Sequence, residues 1–335
     1  MSEPIFKDIT EPPKAGRHEL YQWCDYIELR CLTHTDHRFS RDGLSESIDE
    51  HIDNASDSIS DDELDDENDD TTTEETLPKP DLNEQHAANC FKHLRWRAKA
   101  FSTDWPFELD EHAQEIKLKS KLNKMHRFYL SLLISSSLRY CPKTRWRKLT
   151  GLFERASLEI FKKLMPGGAT VHAFGAAEST HYTGHLFDRL TKLAQDVRGN
   201  LDLKKCHFSQ HDTGDAGLDL VAWHDLGDER KGIPIAFAQC GCTANGWPDK
   251  MLQASPAHLA GHLSTFHNWA TYYFMPLDLS IEYDGQMDWQ MRSDFSQAIV
   301  IDRLRFMRLA NLYSLSAPDM TAIPEVSEAV SLKIA

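Results

Sequence analysis

Asp219 stands inside the apolar run Leu218 to Trp223 (LDLVAW), where an uncompensated carboxylate costs several kcal/mol. A bound cation is the usual compensation. Twenty residues on, Gln239 closes a second apolar run, Ile233 to Gln239 (IPIAFAQ). In an extended chain Ile235, Phe237, Gln239 and Gly241 share one face, so on neighbouring strands a carboxylate and an amide oxygen converge. With the Cys240 carbonyl as a further donor, this set of hard oxygens suits Mg²⁺ or Mn²⁺ rather than Zn²⁺. His207 and His211 with Cys240 and Cys242 hold the inventory of a zinc site instead, although the Cys-x-Cys spacing favours a small buried thiol pair.

Such a site needs a scaffold. His224 to Gly232 is a polar turn between the two apolar runs, which makes them an antiparallel strand pair. Trp269 to Phe274 and Ala298 to Ile301 read as two further strands, and a helix from Asp302 to Leu312 follows. Asp302 complements the dipole at the start of that helix, and Arg303 beside it is a candidate phosphate contact. Upstream, Leu186, Leu190, Leu193 and Val197 form one helical stripe that Gly199-Asn200 ends. Helices alternating with strands make an α/β core.

The stretch GDAGLDLVAWHDLGDERKGIPIAFAQC, with GWPDK after it, resembles the PD-(D/E)XK nuclease superfamily. Within it, the match is to the branch where Gln replaces the second acid, as in Mrr-like restriction endonucleases. The resemblance implies a restriction endonuclease-like core, a central mixed sheet flanked by helices, preceded by a mainly helical N-terminal region. It makes Asp219 the metal-binding acid and Gln239 the second metal-site residue. The superfamily's lysine, two residues further on, falls on Gly241. Lys250, opening the next helix, is the replacement, because an amine that orients water and offsets phosphate charge is defined by its place in space. The Phe153-Glu154 pair resembles the pair that opens such domains, which nominates Glu154 as a further metal-site acid, with Glu178 and Asp188 as alternatives. A plain surface cation at Lys250 and a solvated helix acid at Glu154 stand beside these assignments.

The function implied is Mg²⁺- or Mn²⁺-dependent endonucleolytic hydrolysis of DNA, with catalytic residues Asp219, Gln239, Lys250 and Glu154 and metal contacts from Asp219, Gln239, Cys240 and Glu154. RNA stays open as a substrate. Cores of this kind serve as effectors of bacterial restriction or anti-phage defence, which implies a sensor or ATPase subunit as partner and leaves a homo-oligomer open. The alternative is a nuclease-fold subunit without activity that binds nucleic acid or a protein, and Gly241 is the argument for it.

A net charge of −15 taken alone argues against a polyanionic partner, but residues 43 to 76 carry 15 acids and no Lys or Arg, leaving 37 acids against 37 bases elsewhere. Lys92 to Lys163 holds 17 bases and 7 acids. Arg95 and Arg97 around Trp96, and Lys143, Arg145, Arg147 and Lys148 around Trp146, suit phosphate contact with base stacking. A helix that buries its Trp and solvates its cations gives the same pattern. The expected divisions are a helical segment at 1–52, an acidic disordered linker at 53–80, a basic helical region at 81–149, the nuclease-like core at 150–315 and a tail at 316–335. The linker is either a spacer or an internal DNA mimic over the basic region. Seven cysteines spread over the chain predict reduced thiols. The N-terminus has no secretory pattern. The longest apolar run, the 11 residues Phe128 to Leu138, is shorter than the roughly 20 that cross a bilayer. A cytoplasmic protein without a membrane span is expected.

Overall fold

In the computed structural model, the described residues are 4–7, 9–13, 20–56, 79–110, 112, 114–175, 179–209, 214–244, 246–290, 292–295, 298–315 and 324–331. Most of the expected acidic linker lies outside them, as do Glu178 and His211. Backbone contacts divide the chain into two units, one built on Phe6–Leu122 and one on Asn123–Val326.

The first unit contains α1 (Leu20–Thr33), β1 (Arg38–Ser40), α2 (Arg41–Ser56), α3 (Lys79–Phe101), β2 (Phe107–Asp110) and β3 (Glu115–Leu118). Its strands form an antiparallel sheet in the order β1-β3-β2. Residues 107 to 118 thus correct the expectation of helix through this region. FELD and EIKL alternate apolar with polar residues, and the pairing sets Glu108 opposite Lys117, a favourable cross-strand pair.

Helix α1 is buried along nearly its whole length and carries two acids, Asp25 and Glu28, out of water. Arg97 of α3 answers both. Its Nη1 donates to Asp25 at 2.8 Å and lies 3.1 Å from Glu28, its Nη2 reaches the Tyr21 carbonyl at 3.3 Å, and Trp105 Nε1 donates to Glu28 at 3.0 Å. Arg97 is 0% exposed, so it is corrected from a phosphate contact to the counter-ion of a buried acid pair. Trp96 is buried and stacked on His93, while Arg95 alone of this cluster faces solvent. With Trp96 and Arg97 both buried, the cluster keeps one solvated cation and presents no indole face for base stacking.

The second unit runs α4 (Lys124–Ser136), α5 (Lys143–Leu164), β4 (Thr170–Ala173), α6 (Leu186–Asp196), β5 (Asn200–Leu201), β6 (Leu220–Trp223), β7 (Ile235–Cys240), α7 (Trp247–Leu252), α8 (Pro256–Leu259), β8 (Leu263–Ser264), β9 (Ala270–Phe274), β10 (Ser280–Tyr283), β11 (Gln286–Trp289), β12 (Ile299–Ile301) and α9 (Arg303–Leu312); α10 (Pro324–Ser331) follows. A five-stranded mixed sheet has the order β12-β9-β7-β6-β4. Strands β4, β6 and β7 form an antiparallel meander, and β9 and β12 run parallel to β7. The short helices α7 and α8 belong to the crossover from β7 to β9, as a parallel connection requires.

One face of the sheet buries Val221, Ile235 and Phe237 in a core with Leu186, Leu190 and Leu193 of α6. On the other, Phe161 of α5 packs edge-on to Tyr272 and Phe274 of β9 at 5.4 and 6.0 Å. The strand directions bring the end of β7, the end of β9 and the start of β6 to one edge of the sheet. Helix α5 runs unbroken through the expected boundary at 149/150, so the second basic cluster and Glu154 share a helix. Asp302 caps α9 by accepting from the Arg305 N–H at 3.0 Å, as its position predicts. Arg303 is fully buried on the Pro276 carbonyl, Tyr129 and Ser136, which removes it as a phosphate contact. Among the described residues, no helix is long and apolar enough to cross a membrane.

Candidate metal centre

Asp219 lies at the bend that enters β6. Its N–H donates to the Ala238 carbonyl at 3.0 Å and its carbonyl accepts from Phe174 N at 2.7 Å, so the backbone is clamped between β7 and the end of β4. The turn before it is local chemistry. Asp215 accepts from Gly217 N at 2.8 Å, and Ala216 and Gly217 are left-handed at φ 56° and 78°. A Cβ on Gly217 would fall 2.6 Å from Cβ of Gln253, the residue that ends α7. Glycine here lets the Asp219 turn touch the helix that carries Lys250. The buried Arg189 donates to the carbonyls of Phe174 and Gly214, tying together the two loops that flank Asp219.

Asp219 is 7% exposed, and its Oδ2 accepts from Cys240 N at 2.7 Å. Burial pushes its pKa well above the usual carboxylate range. Glu154 pushes further the same way and Asp215 adds a smaller rise, while the Cys240 N–H and the Lys250 ammonium pull it back. The groups whose charge reaches Asp219 therefore include two that the sequence nominated, half-buried Glu154 from α5 and half-buried Lys250 from α7. The same three charges act on the buried Cys242 thiol, which burial raises first. Of the alternative acids, Asp188 is exposed on the first turn of α6 and Glu178 lies outside the described residues.

Gln239 follows directly in β7 from Ala238, which accepts the Asp219 N–H. It is 9% exposed and its Oε1 has no hydrogen-bond partner. Cys240 enters through its N–H to Asp219, and its thiol, raised by burial, contacts Ser157 of α5. Cys242 is buried and Cys240 half-buried, which fits a small thiol pair packed in the fold; of the histidines in the zinc alternative, His211 lies outside the described residues.

Tyr273 belongs to none of the motifs read above. It lies beside Gln239 in the parallel register of β9 on β7, and its Oη is buried without a partner. A Cβ at Gly241 would lie 2.0 Å from that Oη. Tyr273 thus fills the space that any side chain at 241 would need. Gly241→Ala is expected to cost about 1–3 kcal/mol by overpacking, read from urea unfolding, and Tyr273→Phe in the same chain should return part of that loss, because it removes the atom the new Cβ meets first. A Gly241→Ala protein as stable as the wild type would remove the steric account.

Among the described residues, no three His, Cys, Asp or Glu side chains group as a metal site. The Asp219 carboxylate and the orphaned Gln239 amide oxygen stand at this edge, and the Glu154 carboxylate acts on Asp219 from α5; hard oxygens of this kind are what a hydrated Mg²⁺ or Mn²⁺ takes. On α5, Lys143, Arg147 and Lys148 are exposed and Arg145 is half-buried. Helical spacing puts Lys143, Arg147 and Glu154 on one face, Arg147 and Glu154 about 10 Å apart along the axis. Trp146 is half-buried with its indole N–H bonded to the Cys141 carbonyl at 3.0 Å, which ties it down locally. No protein-family model, curated protein or solved structure matches the chain.

Proposed function

We propose that the second unit is a restriction endonuclease-like nuclease that hydrolyses phosphodiester bonds in DNA with Mg²⁺ or Mn²⁺. The observation that carries this is the buried Asp219, whose carboxyl is pressed by Glu154 and relieved by Lys250, next to an amide oxygen with no partner at Gln239. Two further features support it. The order of a helix, an antiparallel meander, a helical crossover and a parallel strand agrees with the resemblance in the sequence. Helix α5 begins with Lys143 and Arg145 and no acid in its first turn, an arrangement unfavourable to the helix dipole that gathers phosphate instead.

Asp219, Gln239 and Glu154 would hold the cation, which when bound supplies an acidified water and neutralises charge at phosphorus. Asp219 is oriented by the Cys240 N–H and cannot swing away without breaking that bond. Lys250 brings a positive charge to the same edge, where it offsets the charge that grows on the phosphoryl oxygens. The exposed cations of α5 fix the strand against this edge. An effector role in bacterial restriction or anti-phage defence, with a sensor or ATPase partner, belongs to the same proposal.

Plasmid cleavage tests it. The wild type should nick supercoiled DNA in Mg²⁺ and not in EDTA, Asp219→Ala should be inert, and Lys250→Met should be slower by on the order of 10²-fold. Equal cleavage by wild type and Asp219→Ala would end the proposal. Cleavage by Lys250→Met at the wild-type rate would return Lys250 to the helix surface. Wild-type binding to DNA without cleavage would favour the inactive nuclease-fold subunit.

A further inference from the structure

We infer that Tyr273 is a positioning residue of the candidate metal centre, its hydroxyl standing where a side chain at position 241 would otherwise begin and holding one ordered water against the Gln239 amide oxygen. The inference rests on the metal-site reading above and adds a residue that the sequence motif does not contain.

Three observations carry it. Gln239 and Tyr273 are register partners on adjacent parallel strands, about 4.8 Å apart in backbone, so their side chains leave the sheet side by side. Gln239 Oε1 and Tyr273 Oη are each buried and each without a partner. Buried polar atoms in folded proteins are almost always paired, and one water with two to four polar neighbours is the common solution. Finally, the 2.0 Å approach of Oη to the Cβ position of Gly241 puts the hydroxyl where the superfamily pattern would start its lysine, and Asp219 is among the groups whose charge it feels. Burial, with the nearby Cys242 and Cys240 thiols and Asp219, raises the hydroxyl's pKa, so it remains a neutral donor. The amide oxygen is an acceptor only. A water between them is therefore oriented, with one hydrogen toward Gln239 and its oxygen toward the Tyr273 O–H.

This role and a purely structural one separate cleanly. Mn²⁺ is titrated into the full chain by calorimetry, and metal-free melting is recorded alongside, for the wild type, Tyr273→Phe and Asp219→Asn. Tyr273→Phe should melt close to the wild type without metal, because its hydroxyl bonds no protein group and gives up only a water. Its Mn²⁺ affinity should fall by about 10-fold or more, as when a residue supporting a metal ligand is removed. Asp219→Asn should not bind. If Asp219→Asn loses Mn²⁺ while Tyr273→Phe binds within about twofold of the wild type, the tyrosine inference falls and the metal site stands. If the wild type shows no saturable binding, or Asp219→Asn binds as well as it does, both fall.

Discussion

Asp219→Asn is expected to melt above the wild type in EDTA and to ignore Mg²⁺, while the wild type gains stability with the cation. The folded protein holds the Asp219 carboxyl well above its ordinary pKa, first through burial and then through Glu154. Below the unfolded carboxyl's pKa both states are protonated and the group costs nothing. As pH rises from there toward the raised folded value, the unfolded state ionises alone and stability is lost; above the folded value the loss is constant. Asn removes that loss while keeping an oxygen for the Cys240 N–H at 2.7 Å. The gain near neutral pH should be about 1–3 kcal/mol, shrinking toward pH 4, where the wild type catches up. A cation on Asp219 does the same for the wild type by favouring the ionised form. An Asn variant that melts below the wild type at neutral pH in EDTA would show that Asp219 is compensated within the protein and has no need of a metal.

The second large effect lies in the other unit. Arg97→Ala should destabilise it by about 3–5 kcal/mol, because Asp25 and Glu28 would stay buried without their shared cation. Arg95→Ala, two residues away and exposed, should shift stability by no more than about 0.5 kcal/mol. Chemical denaturation followed by far-ultraviolet circular dichroism separates the two. Equal effects would contradict the contrast in burial. The acids bonded to Arg97 make the difference: Nη1 alone serves two carboxylates at 2.8 and 3.1 Å.

Those two arginines also show what a sequence exposes and what it hides. Both sit in RWR, and spacing assigns them the same role. What separates them is a pair of acids on a helix some 70 residues earlier, and local pattern has no access to that distance. By contrast, β6, β7, β9, β12 and α9 were legible to within about two residues, since buried parallel and central strands are written as unbroken apolar runs. The β2–β3 hairpin was readable from its alternation but was masked by the basic residues around it. The Asp284-Gly285 turn of β10–β11, left-handed at φ 52° and 74°, was an available hairpin signal that passed unread.

At the candidate site, Asp219 and Gln239 were legible because each breaks an apolar strand, and Glu154 and Lys250 only through a resemblance. The Gly217 contact that seats α7 and the hydroxyl of Tyr273 were not legible at all. Both depend on which backbone lies beside which, a property of register and not of residue order.

The exclusion between Gly241 and Tyr273 bears on ancestry. A side chain at 241 and a tyrosine at 273 coexist in this backbone only at a cost, so a lineage that exchanges one for the other passes most cheaply through a chain with neither. The first step in either direction is the loss of the bulk already present, and only then is the vacated room open to the newcomer. Reconstructed intermediates carrying small residues at both positions are where such a passage would leave its trace.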